Sequence, residues 1–305
     1  MARVAAQLSN FTAGELSPRL DGRNDLAKYS AGCATVENMV IYPHGAAARR
    51  PGTTFIAEVK TSSAKTRLIS FEFSTTQTYI LELGNQYMRF YRDNGQILSS
   101  GSPYEISTPY LTAELFDIKF AQSADVMYIT HPNHATRKLS RTGHTSWTLT
   151  EVDFTNGPYL DTNTSTTTIT ASASTVGTGR TFTASASTFV STDVGRLIRF
   201  RDGHAKVTGF TSATVVTVEI LVDTGSASAS TDWNLGAFSN TTGHPSCVSF
   251  FEQRLVFAAT LSQPQAVFFS KSGDYENMDA NIGGTVADDD AIIYTIASNQ
   301  VNAIR

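Results

Sequence analysis

Cysteine is scarce. Cys33 and Cys247 are the only two in 305 residues, too few for a disulfide framework, and neither has a Cys or His at ligand spacing. Both are expected to be small buried apolar side chains. Charge is scarce as well: Asp, Glu, Lys and Arg make up 16% of the chain, and the net charge is −4. That balance excludes a broad basic face for sequence-independent nucleic-acid binding, because phosphate affinity scales with the cations engaged. It still suits a channel that DNA crosses without being gripped. No apolar run approaches the length of a membrane span. Met1-Ala2-Arg3-Val4-Ala5-Ala6 leads into polar residues, not into the apolar segment of a signal peptide, so a soluble product made in a cytoplasm is expected. There is no Gly-rich phosphate loop. None of the six histidines, His44, His131, His134, His144, His204 and His244, lies in a nucleophile motif. A chain without catalytic residues or cofactor is the expectation.

What the sequence does have is concentrated first in residues 10–52, dense in Gly, Pro, Arg and short polar residues. Leu26, Tyr29, Cys33 and Val36 fall at i, i+3, i+7 and i+10, which predicts a short helix capped by Asn24 or Asp25. The chain then runs extended through Met39-Val40-Ile41-Tyr42 to a turn at Pro43-His44-Gly45, and closes on Arg49-Arg50-Pro51-Gly52. Pro51 pushes Arg50 out of the helical region, so the Arg pair stands on extended backbone. The segment reads as a docking arm and clamp. Residues 5–11 could add a strand to a neighbour, and the Arg pair suits a neighbour's carboxylates better than DNA phosphate.

From Thr53 onward the signal is β. Strands are expected over residues 54–59, 67–73, 78–83 and 87–91, with turns at Ser74-Thr75-Thr76-Gln77, Gly84-Asn85 and Asp93-Asn94-Gly95. A second group follows at 118–123, 126–130, 137–139 and 148–152. The two groups repeat strand, polar turn and aromatic-centred strand at a period of about fifty residues, within the range for propeller blades. Roughly two residues in five between Asp161 and Asp232 are Ser or Thr, yet recurring apolar residues and the 215–221 strand favour a small β-barrel or sandwich over a linker. Strands at 248–251, 254–258 and 266–270 and a further strand from Ile292 resume the first pattern. The fold expected is mainly β: an arm and short helix (1–52), propeller-like blades (53–158), an inserted Ser/Thr-rich β domain (159–237) and a propeller-like continuation (238–305). Blade material of about 190 residues would make about four blades.

Two clusters were weighed for metal. His131 and His134 flank Pro132 but lack a third ligand nearby in sequence, which favours a solvated turn. Asp288, Asp289 and Asp290 with Asp279 do not match a calcium loop, which favours a solvated acidic turn. No metal is expected at either.

The order NF..GELSP.LDGR.DL.KY..GC....N......G...RRPGT.F over residues 10–55 resembles the N-terminus of tail nozzle proteins of short-tailed bacteriophages (podoviruses), also called tail tubular protein B or stabilisation proteins. The likeness resumes in GHPSCVSFFEQRLVFAAT (243–260), SGDYENM (272–278) and DDDAIIYTIASNQVNAI (288–304). The resemblance implies a structural virion protein, assembled as a six-fold homo-oligomeric ring below the portal and adaptor. Such a ring closes the tail and conducts DNA during ejection. It implies interface residues Phe11, Glu15, Leu16, Arg19, Asp21, Arg23, Tyr29, Arg49 and Arg50, with the adaptor and the next subunit as partners and tail fibres as a further one. It also implies that the chain continues beyond residue 305. The rivals are a receptor- or glycan-binding propeller of the tail and a secreted adhesin, the latter disfavoured by the missing leader.

Overall fold

Arg67–Ser74 and Val215–Val222 show the two-residue period of a strand, with buried positions alternating with more open ones. The structure is a computed structural model that describes residues 8–297, 300 and 302–305. The chain is mainly β, with 44% in strands and 3% in helical turns. Two compact units meet between Ile56 and Ala57.

The second unit holds three antiparallel meanders. Arg67–Ser74, Gln77–Gly84 and Tyr87–Arg92 form the first, with Glu105–Ser107 on its far edge. Asp93 and Asn94, at φ 52° and 59°, make the left-handed pair that a two-residue hairpin needs. Lys119–Ser123, Val126–His131, His134–Gly143 and Ser146–Glu151 form the second. Cys247–Phe251, Arg254–Ala258, Ala266–Phe269 and Ile292–Thr295 form the last. The expected strand at residues 54–59 is absent: this stretch is coil without ladder partners. Its two large apolar side chains at the start, Phe55 and Ile56, stand 81% and 40% exposed.

Alternation explains how the meanders stack. Met127 and Ile129 are buried with Phe71, Leu81 and Phe90 of the first sheet. Tyr128, between them, is buried with Leu255, Phe257 and Phe268 of the last sheet. Successive side chains of one strand thus enter two different cores, and the second sheet lies between the other two. Trp147 anchors the first core. Its ring lies 4.5 Å from Phe90, 4.8 Å from Phe71 and 5.2 Å from Tyr79, centroid to centroid.

Between the second and last meanders, residues 159–237 build a six-stranded antiparallel sheet. Its order is Ile169–Ala171, Gly177–Ala184, Val215–Val222, Gly203–Ser212, Leu197–Phe200, Trp233–Leu235. It has its own core, in which Val216, Val218 and Ile220 alternate with half-buried Thr217 and Glu219 and pack with Phe182, Phe200 and Trp233. The chain enters and leaves through one stem. Tyr159 bridges Gly236, the Leu160 N–H donates to the Leu235 carbonyl at 2.8 Å, and the Ala237 N–H donates to the Pro158 carbonyl at 2.8 Å. Just inside the stem, Asp193 and Arg196 form a buried ion pair at 2.8 Å, with 2% and 4% of their side-chain surfaces exposed.

Acid should weaken the second unit, Ala57–Arg305. Burial holds His244 neutral, with its pKa lowered from 6.5 to about 4, and burial lowers His204 in the same direction. On unfolding each side chain regains its ordinary affinity for a proton, so below about pH 6.5 the unfolded chain binds more protons than the native one. The stabilisation is present above that pH and is lost as pH falls toward 4. Urea midpoints are expected to fall between about pH 7 and about pH 5, and His244→Gln to flatten the trend. A midpoint independent of pH over that range would contradict it.

Candidate functional site

The arm is ordered by backbone hydrogen bonds rather than by a core. Gly14–Glu15 pairs in parallel with Gly32–Cys33, and Met39–Ile41 pairs antiparallel with Ala47–Arg49. The Phe11 N–H donates to the Gly45 carbonyl at 2.9 Å, the Leu16 N–H to Cys33 at 2.9 Å and the Arg50 N–H to Asn38 at 2.9 Å. Leu16 lies so close over Gly32 that a Cβ there would stand 2.5 Å from its side chain.

The expected helix from Asp25 does not form. Only 3-10 turns occur, at Pro18–Leu20 and Tyr29–Ala31. The apolar spacing is right, but a stripe needs a surface to bury against, and Leu26 remains 37% exposed. Local partners win instead. Asp25 caps nothing and takes a two-pronged bond from Arg23 at 2.7 Å, while the Tyr29 hydroxyl accepts the Gly22 N–H at 3.0 Å. Cys33 enters the parallel bridge with Glu15.

The nine candidate interface residues fall into two groups. Phe11, Leu16 and Tyr29 are half-buried in the turn scaffold, whereas Glu15, Arg19, Asp21, Arg23, Arg49 and Arg50 are exposed. Glu15 accepts the Val36 N–H at 2.9 Å, which ties two turns together. Among the described residues, Arg19, Asp21, Arg49 and Arg50 have no ion-pair partner. No apolar side chain between residues 8 and 56 is buried, and Met39, Val40, Tyr42 and Ile56 stand exposed. The strand expected at residues 5–11 lies largely outside the described residues.

Three other expectations need correction. Neither cysteine is fully buried: both are free and half-buried, and Cys247 Sγ lies 3.6 Å from the Ile304 carbonyl as a weak donor. The acidic turn is not simply solvated. Asp290 is 6% exposed, accepts the Ala287 N–H at 2.8 Å and pairs with Lys271 at 3.2 Å. These bonds hold its carboxyl below the usual range, the Ala287 N–H having the largest effect. Arg254 donates to the carbonyls of Ser270, Asp288 and Asp290 at 2.6–2.7 Å, so side-chain cations already serve this turn. The His131/His134 turn is not solvated either: His131 is 2% exposed, and His134 Nε2 lies 2.9 Å from Glu114.

One feature had no sequence signal. A cleft of about 760 Å³ runs between the six-stranded sheet and the loop around Asn281, and Tyr159, Arg199, Arg201, Asp202, His204 and Asp279 are among its lining residues. Arg199 pairs with Asp232 at 2.7 Å, and His204 Nε2 is buried without a partner. Its residues come from segments more than a hundred positions apart, so no local pattern could announce it.

Comparison of the chain with protein-family models and with curated proteins gave no match. Among the described residues, no helix is long and apolar enough to cross a membrane.

Proposed function

We propose that this chain is a structural protein of a short-tailed phage tail, a nozzle subunit that assembles as a six-fold ring below the portal and adaptor. On this reading it is made in the host cytoplasm, resides in the virion and carries no catalytic activity. The three stacked meanders act as propeller-like blades that stiffen the ring. DNA passes through the channel during ejection without sequence-specific binding.

The observation that supports the reading best is the arm. It combines an ordered backbone with no buried apolar side chain. Ordering costs about 1–2 kcal/mol per residue in backbone entropy, and burial against a neighbour offsets that cost. Exposed Met39, Val40 and Tyr42 supply apolar area, and unpaired Arg49 and Arg50 supply a charge match for a partner's carboxylates. A head-to-tail contact of this kind generates a ring where its rotation closes and a filament where it does not.

Quantitative mass spectrometry of purified virions, with cryo-electron microscopy of the tail, tests it. About six copies in a ring at the tail tip are expected for a closed cyclic assembly. Absence from the particle, or copies on fibres alone, would sink the reading. Replacing Arg49 and Arg50 together by Glu should lower incorporation by about tenfold or more, the effect of uncompensated charge at an interface. Unchanged incorporation would remove the Arg pair from the interface.

The cleft favours a second reading, a receptor- or glycan-binding tail component. Arginines, carboxylates and a tyrosine facing one cavity match the hydroxyl-rich surface of a sugar. Binding of host polysaccharide, lost in Arg201→Ala with virion copy number unchanged, would favour it.

A further inference from the structure

We infer that Glu114, His131 and His134 form a binding site for a divalent transition-metal ion of the zinc class. His131 and His134 are a register pair at the end of the hairpin joining Val126–His131 to His134–Gly143. Paired residues project from the same face, and their ring centroids lie 5.1 Å apart. Glu114 arrives from the connector that precedes the sheet. Its Oε2 accepts the Leu111 N–H at 2.9 Å and lies 2.9 Å from His134 Nε2. One potential ligand atom from each of the three side chains lies within 4.8 Å of the others, the one such group among the described residues.

The donor set fits the ion. Two imidazoles and one carboxylate are a three-ligand zinc set, and a fourth position is left for water. Tetrahedral zinc at ~2.1 Å from each donor holds its ligand atoms about 3.4 Å apart, so a modest closure of the side chains completes the site. Burial is graded: His131 is 2% exposed, while the Glu114 and His134 side chains keep 18% and 24% of their surface open. One wall is dry and the other admits an ion. Ligation replaces the hydrogen bond between His134 and Glu114, and because His131 Nδ1 accepts the Asn133 N–H at 3.2 Å, its other ring nitrogen, Nε2, is the one left to ligate.

A second observation points the same way. Tyr110 is fully buried, packs edge-on against His134 with centroids 5.3 Å apart, and its hydroxyl has no hydrogen-bond partner. Buried hydroxyls are nearly always paired. A water on the ion would give this one a partner. The bound ion would also fasten the 108–117 connector to the hairpin, whose Pro132 carbonyl already accepts the His244 N–H at 3.0 Å.

The test uses the full chain, dialysed against chelator and titrated with Co²⁺ and Zn²⁺ as separate probes. Expected are one ion per chain, a tetrahedral visible spectrum for Co²⁺ that Zn²⁺ displaces, and a melting temperature that rises with ion concentration. Glu114→Gln and His134→Gln, both at partly open positions, should each lower affinity by about 100-fold or more, exceeding the effect of losing an outer-shell partner. His144→Gln, at a histidine outside the group, should leave affinity unchanged. Circular dichroism confirms that each variant is folded. No stoichiometric binding by the parent chain overturns the inference, and so does binding that both variants retain.

Discussion

Asp193→Ala should cost about 3–5 kcal/mol, the penalty for leaving a buried charge without its partner. The Asp193 carboxylate accepts from Arg196 Nη1 at 2.8 Å, from the Val190 N–H at 2.9 Å and from Thr241 Oγ1 at 2.7 Å. Removing it leaves the Arg196 and Val190 donors without this acceptor, while exposed Thr241 keeps its bond to Thr192 at 2.8 Å. Arg196 is the most costly of them: burial already lowers its pKa, and its Nε reaches the Gly236 carbonyl at 2.8 Å beside the stem. Replacing the pair by Leu and Met should recover most of the loss, because well-packed apolar residues often match a buried ion pair. The two tryptophans make the measurement direct, since Trp233 reports on the six-stranded sheet and Trp147 on the first core. In urea, the Trp233 signal of the single variant should move to a lower midpoint. If it stays within about 1 kcal/mol of the parent, the pair is no more than a surface bridge.

Trp147→Ala should cost a comparable 3–5 kcal/mol, the range for deleting a large buried aromatic. Three aromatic rings surround Trp147, and its indole N–H donates to the His144 carbonyl at 3.0 Å. Its backbone N–H also donates to the Tyr104 hydroxyl at 3.1 Å. Truncation would open a cavity between the first two meanders while leaving the six-stranded sheet's core untouched. Trp147→Phe should cost far less, because most of the volume is kept. Urea unfolding followed by circular dichroism separates these outcomes. A loss for Trp147→Ala under about 1 kcal/mol would mean that the sheets repack freely, against the close packing expected of protein interiors.

The strands were legible because their apolar side chains pack against a neighbouring sheet, on one face or, at Met127, Tyr128 and Ile129, on both. ISFEFSTTQTYILEL (69–83) carries two apolar-rich runs around a polar turn, and the structure buries Ile69, Phe71, Tyr79, Leu81 and Leu83, with Glu82 buried between the last two. The arm misled for the opposite reason. Leu26, Tyr29, Cys33 and Val36 have helical spacing, but with nothing to pack on, backbone pairing and the Arg23–Asp25 bond decide the conformation. Counting residues also overreached: the described residues contain three stacked meanders, where chain length suggested four. Glu114 was invisible because it meets His131 and His134 only after the connector folds back on the hairpin. The cleft depends on still longer-range packing.

The paired stem at Tyr159 and Gly236 has one more consequence. Two backbone strands that part and rejoin side by side form a double tether rather than a single-chain linker. The six-stranded sheet keeps its apolar core to itself, while polar bonds from Lys206 to Asp153 and from Thr241 to Asp193 brace it against the chain on either side of that tether. Its orientation on the frame is therefore held by polar contacts as well as by the tether, and loosening those contacts would leave the sheet hinged on two strands alone.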